Sequence, residues 1–262
     1  MRGKLIILLM VGLLFSGFSV LAESKSSMTE LDQLADEALQ LTRFGRFEEA
    51  KKMLERFAQI FSEKGVAERQ FTMDELRIVT AAHHEALKSL TSVGLNPNDR
   101  IQKVTALRLA TDAINSKYQP LWSEMERPIM NAFNDVKSAA LEGDENLYNT
   151  ELNEFLSTYS IIQPSIKISV PVEKVQRLDS RITYIDRYRS TFSEQKWMKE
   201  LEGLEDELKK LFAEINKDDT DPSIWWVMIM TGGIIISTLS YVSWRKYRGQ
   251  NMQQQKRKGP ND

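Results

Sequence analysis

TELDQLADEALQLTRFGRFEEAKKMLERFAQIF, residues 29–61, decides the fold class. Apolar side chains recur three or four positions apart: Leu31, Leu34, Ala38 and Leu41 on one side of Arg43-Phe44-Gly45, and Phe47, Ala50, Leu54, Phe57 and Phe61 on the other. That spacing puts each set on one face of a helix. Gly45 can take the positive φ that ends a helix at low strain. The stretch therefore reads as a helical hairpin.

The same period continues outward. A third helix starts at a capping box, Thr72 with Glu75, flanked by Phe71 and Leu76 as a hydrophobic staple, and carries Leu76, Val79, His83, Ala86, Leu90 and Val93. Asn96-Pro97 opens a fourth through Ile101, Val104, Leu107 and Ile114, which ends at Gln119-Pro120. A fifth carries Trp122, Met125, Ile129, Phe133, Val136 and Ala140, with Pro128 expected to kink or split it. A sixth, through Tyr148, Leu152, Phe155, Tyr159 and Ile162, is expected to stop at Gln163-Pro164. Residues 165–171, with Ile166, Ile168 and Val170 alternating, read as extended or as a linker. A seventh follows Val172, Val175, Leu178, Ile182 and Ile185; an eighth follows Trp197, Leu201, Leu204, Leu208, Leu211 and Ile215. The last stripe is heptad-like, able to pack on a neighbour or on a second copy. The expected fold is all-α, helical hairpins packed as a bundle or a short array of helical pairs.

Gly45-Arg46-Phe47-Glu48-Glu49-Ala50, with Leu54 and Phe57, is similar to the second half of a tetratricopeptide unit. One repeat length further on, about 34 residues, Gly45 and Ala50 meet Val79 and His84, so no period is established.

Two apolar segments divide the 262 residues. Arg2 and Lys4 precede an apolar run over residues 5–18, and Val20-Leu21-Ala22 then leads to Glu23: the three regions of a secretory signal over residues 1–22. Cleavage after Ala22 is the expectation, and an uncleaved anchor is the alternative. Residues 224–244 hold no Asp, Glu, Lys, Arg or His, and at about 1.5 Å per residue they match a hydrocarbon core of roughly 30 Å. Trp225 and Trp226 mark one end of this span, and Tyr241, Trp244 and Tyr247 the other, where amphipathic rings favour the headgroup level. Arg245, Lys246 and Arg248 follow directly, so the C-terminal side is expected to be cytoplasmic. The division becomes a signal (1–22), an extracytoplasmic helical domain with a short stalk (23–222), a transmembrane helix (223–244) and a basic tail (245–262). Gly233 and Ser237 are compatible with helix self-association and do not by themselves argue for it.

Charge follows the division. Residues 23–222 carry 27 Lys and Arg against 36 Asp and Glu, a net of −9, and residues 245–262 carry 6 against 1, a net of +5. An acidic domain argues against nucleic acid as its partner, because phosphate binding needs clustered positive charge. The tail can attract an anionic leaflet, and Gln250 and its neighbours to Gln255 are polar and flexible in composition.

The chain contains no cysteine, which removes disulfides and thiolate metal sites. His83 and His84 are adjacent, about 100° apart on a helix, and cannot chelate as an i, i+4 pair would. His83, on the apolar stripe, reads as a hydrogen-bonded histidine at the core boundary. No glycine-flanked serine at a strand-to-helix turn and no glycine-rich phosphate loop occurs. Carboxylate pairs such as Glu48-Glu49, Glu205-Asp206 and Asp218-Asp219 read as solvated faces. No catalytic, cofactor-binding or metal-binding residue is assigned.

The whole arrangement resembles the YpjB family of sporulation proteins: signal, helical domain opening with Gly45-Arg46-Phe47-Glu48-Glu49-Ala50, the Trp197 helix, one span and a basic tail. The resemblance implies a membrane protein that contributes to spore formation in endospore-forming Gram-positive bacteria. The expected role is a tethered module that contacts membrane lipid and binds a protein or envelope partner. The alternative is a membrane-anchored enzyme or enzyme subunit with a composite carboxylate site. N-terminal sequencing of the purified protein is expected to begin at Glu23; a chain that begins at Met1 makes the first segment an uncleaved anchor.

Overall fold

A computed structural model describes residues 22–67, 71–116, 119–191, 195–217 and 222–257. The segment expected to be a signal, up to residue 21, and residues 218–221 of the expected stalk lie outside the described residues. Two compact units result, residues 1–216 and 217–262. Among the described residues the secondary structure is helical, with nine α-helices and no strand.

In the first unit the helices are α1 (Ala22–Arg43), α2 (Phe47–Ala67), α3 (Met73–Thr91), α4 (Pro97–Asn115), α5 (Glu126–Glu142), α6 (Glu145–Ser169), α7 (Val172–Arg187) and α8 (Gln195–Lys217). Their starts follow local chemistry. Glu75 N donates to Thr72 Oγ1 (3.2 Å) and Thr72 N to Glu75 Oε2 (2.7 Å), completing the capping box of α3. Asn98 N donates to Asn96 Oδ1 (3.0 Å), with Pro97 as the first residue of α4. Pro128 does split its segment. Residues Leu121–Met125 form a 3-10 turn, and α5 starts at Glu126, so Pro128 falls in the first helical turn, where a missing N–H leaves no intrahelical bond unmade.

Pro164 does not end α6, contrary to the expectation from sequence. The helix runs on to Ser169, and residues 165–169 are helical; Val170 and Pro171 alone are extended. Continuing the helix buries Ile166 completely, in line with the buried Ile162, and lays Ile168 against both apolar clusters of the unit. Burial of each large aliphatic side chain is worth about 1.5–3 kcal/mol. An interior proline costs about 3 kcal/mol, so the packing prevails.

The core has two parts. One joins α1 to α4 through Leu34, Ala38, Ala50, Leu54, Phe57, Val79, Ala86, Val104 and Leu107. The other joins the end of α4 to α5, α6, α7 and α8 through Leu109, Trp122, Phe133, Phe155, Ile162, Leu178, Ile182, Leu201, Leu204, Leu208 and Phe212. The heptad-like stripe of α8 is thus consumed within the chain. Ion pairs tie the outer faces: Lys137 with Glu205, Arg108 with Asp32 and Asp36, and Arg181 with both Glu200 and Glu207.

Successive helices reverse direction, so the turns fall at two ends. At the end where α8 finishes, Trp122 Nε1 donates to Ser169 Oγ (2.9 Å), Trp122 packs on Phe212 (ring centroids 5.7 Å apart), and Lys174 pairs with Glu214. At the far end, Trp197 Nε1 donates to Tyr148 Oη (3.0 Å).

Leu107, fully buried between α4 and the α1–α3 layer, tests this architecture: Leu107→Ala is expected to cost about 2–5 kcal/mol, read from the urea midpoint at unchanged slope. A loss under 1 kcal/mol would contradict a shared α4 wall.

Candidate functional site

Exposed large apolar side chains mark where a helical domain has something left to bury. On the first unit these are Phe44, Met73, Val93, Leu141, Leu147, Val172, Tyr184 and Tyr188. They lie at or within a turn of helix ends and leave the middles of the helices clear. Six of them, all but Met73 and Val172, belong to the far end.

Local structure presents each one. Arg46 N donates to Leu41 O (2.9 Å) and Gly45 N to Thr42 O (3.0 Å), the paired bonds that close a helix around a residue with positive φ. Gly45 has φ 72°, and Phe44 is thereby turned outward, 76% exposed. At the next turn the Arg100 side chain reaches back along α3. Its Nη1 donates to Ser89 O (2.7 Å) and Leu90 O (2.9 Å), its Nη2 to Ser92 O (2.6 Å) and its Nε to Leu95 O (3.3 Å), and its guanidinium lies 4.7 Å from the Phe47 ring centroid. One buried cation therefore satisfies the carbonyls that the end of α3 leaves unpaired. Val93 sits on the loop so ordered, fully exposed. Gly45, Arg46, Val93 and Gly94 line one shallow concavity, which brings the two turns side by side.

The other lobe does the same. Asp144 Oδ1 accepts from Asn146 N (2.9 Å) and Leu147 N (3.0 Å), holding Leu141 and Leu147 about the turn at Gly143. Tyr184 and Tyr188 pack ring to ring at 4.8 Å, and Tyr184 lies 6.0 Å from Trp197. Burial, chiefly, pushes the Tyr148 hydroxyl up to about 12, so it stays protonated as the acceptor for Trp197. Arg189 Nη1 donates to Asn153 Oδ1 (3.0 Å), fastening the end of α7 to α6.

Along the side of the unit, a groove of about 560 Å³ runs between α3 and α4 on one hand and α6 and α7 on the other. Of the carboxylates that line it, Asp74, Glu85 and Asp179, two are held by neighbouring side chains. Asp179 accepts from Tyr159 Oη (2.8 Å) and Gln163 Nε2 (3.1 Å) and lies 3.6 Å from Lys167 Nζ, while Asp74 pairs with Arg77 at 3.2 Å. Burial, chiefly, drives the Tyr159 hydroxyl upward, which keeps it a donor. Among the described residues no three His, Asp or Glu side chains are grouped to hold a metal. His83 lies half-buried on the apolar stripe, its Nε2 2.8 Å from Leu54 O and its ring stacked 5.8 Å from Phe57.

The membrane-anchor residues named from sequence share α9, Pro222–Arg257. Its apolar window, Trp226–Trp244, is 19 residues long with mean hydropathy 1.5 and is unburied by the protein. Trp226, Tyr241 and Trp244 are exposed at its two ends. Trp225, Arg245, Lys246 and Arg248 lie on the same helix, and the side chains of Trp225, Arg245 and Arg248 are outside the described residues. The tail is more regular than its composition suggested: α9 continues through Gln250 and Gln255 to Arg257.

An all-α domain joined in sequence to a single long apolar helix is the class of protein these features define. The chain belongs to the family described as Sporulation protein YpjB (SpoYpjB), whose model matches residues 28–258. It is 31% identical over 263 residues to a protein of Bacillus subtilis (strain 168) named "Uncharacterized protein YpjB", covering 99% of this chain and 100% of that protein. No solved structure matches the chain.

The site residues missed from sequence are those at the far end, Phe44 and Val93 above all. Phe44 was legible as an apolar residue beside a turn glycine, whereas Val93, read from sequence as the last apolar residue of the third helix, lies beyond the end of α3 at Thr91 and is fully exposed.

His83 supplies a pH dependence. Burial, with the neighbouring His84 adding to it, lowers its proton affinity in the fold. The unfolded chain takes up that proton near pH 6.5 and the folded chain does not, so stability is full above that pH and declines as pH falls below it. His83→Gln is expected to flatten the decline in urea titrations between about pH 7 and 5.5; an unchanged profile would exclude His83 as its source.

Proposed function

We propose that this chain is a single-pass membrane protein whose helical domain lies outside the cytoplasm and serves sporulation as an interaction module. Family membership supports the sporulation role. The exposed apolar window of α9 and the positive charges that follow it support the anchor and its direction. The observation that carries the module reading is the gathering of Phe44, Val93, Leu141, Leu147, Tyr184 and Tyr188 on rigid turns at one end of the domain. Apolar and aromatic residues on ordered turns are what protein interfaces use as anchors, because little side-chain freedom is lost when they are covered.

Photo-crosslinking in sporulating cells tests this. A photoreactive residue at position 93 or 188 is expected to trap one protein adduct of defined mass, whereas one at Lys51, on the outer face of α2, traps none. Equal adducts from all three positions, or none from any, would remove the far end as a docking surface.

A further inference from the structure

Met73 and Val172 are the two exposed apolar residues that the far end does not explain. Met73 is 80% exposed and Val172 59%. Each is the first residue of its helix, held by a structured start: the Thr72 capping box before α3 and Pro171 before α7. Behind them Phe71 and Val170 pack against the two apolar clusters, so both tips are fixed to the core. Asp74 and Val172 line one groove, which puts the two helix starts at the same end of the domain. That end is also where α8 finishes, since Lys174, near the start of α7, pairs with Glu214, near the end of α8.

Chain connectivity then limits where this end can go. Lys217 closes α8 and Pro222 opens α9. Even fully extended, the connection spans at most about 18 Å at roughly 3.5 Å per residue. If α9 spans a bilayer, the end of α8 is leashed to the bilayer surface, and the starts of α3 and α7 are leashed with it.

We propose that this end of the domain rests on the lipid surface, with Met73 and Val172 as its apolar contacts. The reading rests on α9 as a membrane span. The contact is apolar and not electrostatic, because beside the tips Asp74, Glu75 and Glu173 offset Arg77, Lys174 and Arg177, with Arg77 paired to Asp74 and Lys174 to Glu214, which leaves no surplus of positive charge for an anionic leaflet. The domain as a whole is acidic. A tether supplies a high effective concentration, so two shallow side chains suffice where they would not hold a free domain. The arrangement leaves the far end outward: α3, 19 residues long, separates Met73 from Val93 by roughly 28 Å.

The absence of cysteine makes the test direct. Full-length protein carrying one of Met73→Cys, Val172→Cys, Phe44→Cys, Val93→Cys or Leu239→Cys is labelled with a fluorophore and reconstituted into phosphatidylcholine vesicles containing nitroxide lipid. The vesicles are made with and without phosphatidylglycerol. Quenching at 73 and 172 is expected to exceed that at 44 and 93 severalfold, and to persist at high salt and without the anionic lipid. Equal quenching at all four outer positions, with strong quenching at 239, overturns the surface contact and leaves the span intact. Loss of quenching at 239 overturns the span itself. Quenching at 73 and 172 that requires phosphatidylglycerol and low salt overturns the apolar mechanism.

Discussion

Helix α4 has to bury two faces at once. Val104, Leu107 and Ala110 belong to one apolar cluster and Leu109 and Ala113 to the other, so α4 is wall to both. A helix buried nearly all round keeps little room for polar groups, and those it keeps must be paired. Thr111 Oγ1 donates a hydrogen bond to Leu107 O (2.9 Å). Asp112 accepts from Leu121 N (2.7 Å) and Ser116 Oγ (3.0 Å), which sets the path of the chain into α5. Arg100 closes the end of α3. The polar residues of the central helix thus fix the connections at its two ends, while its apolar residues fix the lobes.

The outer helices are held by a second kind of constraint, charge laid over small residues. Gly203 lies within α8, where a glycine is unfavourable by about 1 kcal/mol. A Cβ there would come 2.5 Å from Arg181 Nη1. The gap lets the guanidinium lie against the helix and reach Glu200 (2.8 Å) and Glu207 (3.3 Å) together. At the α1–α4 seam the balance is less favourable. Burial raises the proton affinity of Asp32 more than Arg108, the next largest influence, lowers it. Partly buried ion pairs of this kind orient helices more than they stabilise them.

The helices were legible because a 3.6-residue period over long windows leaves a strong trace, and capping signals such as Thr72 with Glu75 or Asn96 with Pro97 are local. Pro164 was misleading for a related reason. A local rule against interior proline was set against burial of Ile162, Ile166 and Ile168, which depends on partners far along the chain. The role of Arg100 had no sequence trace at all, since its acceptors are main-chain carbonyls. The family likeness could be read from overall layout, whereas the far-end residues needed the fold to place four separate turns at one end.

How exposed apolar area is distributed links the architecture to the function proposed. The middles of the outer helices carry charges, many of them paired within the chain. Apolar residues are left at the two ends, where an alternating bundle places its turns. The eight helices described in the first unit return the chain, at the finish of α8, to the end at which α1 begins. The opposite, far end holds the turns and helix ends that present Phe44, Val93, Leu141 and Leu147. Ordered turns built on Gly45, Arg100 and Asp144 are what make that end a rigid surface rather than a set of loose loops.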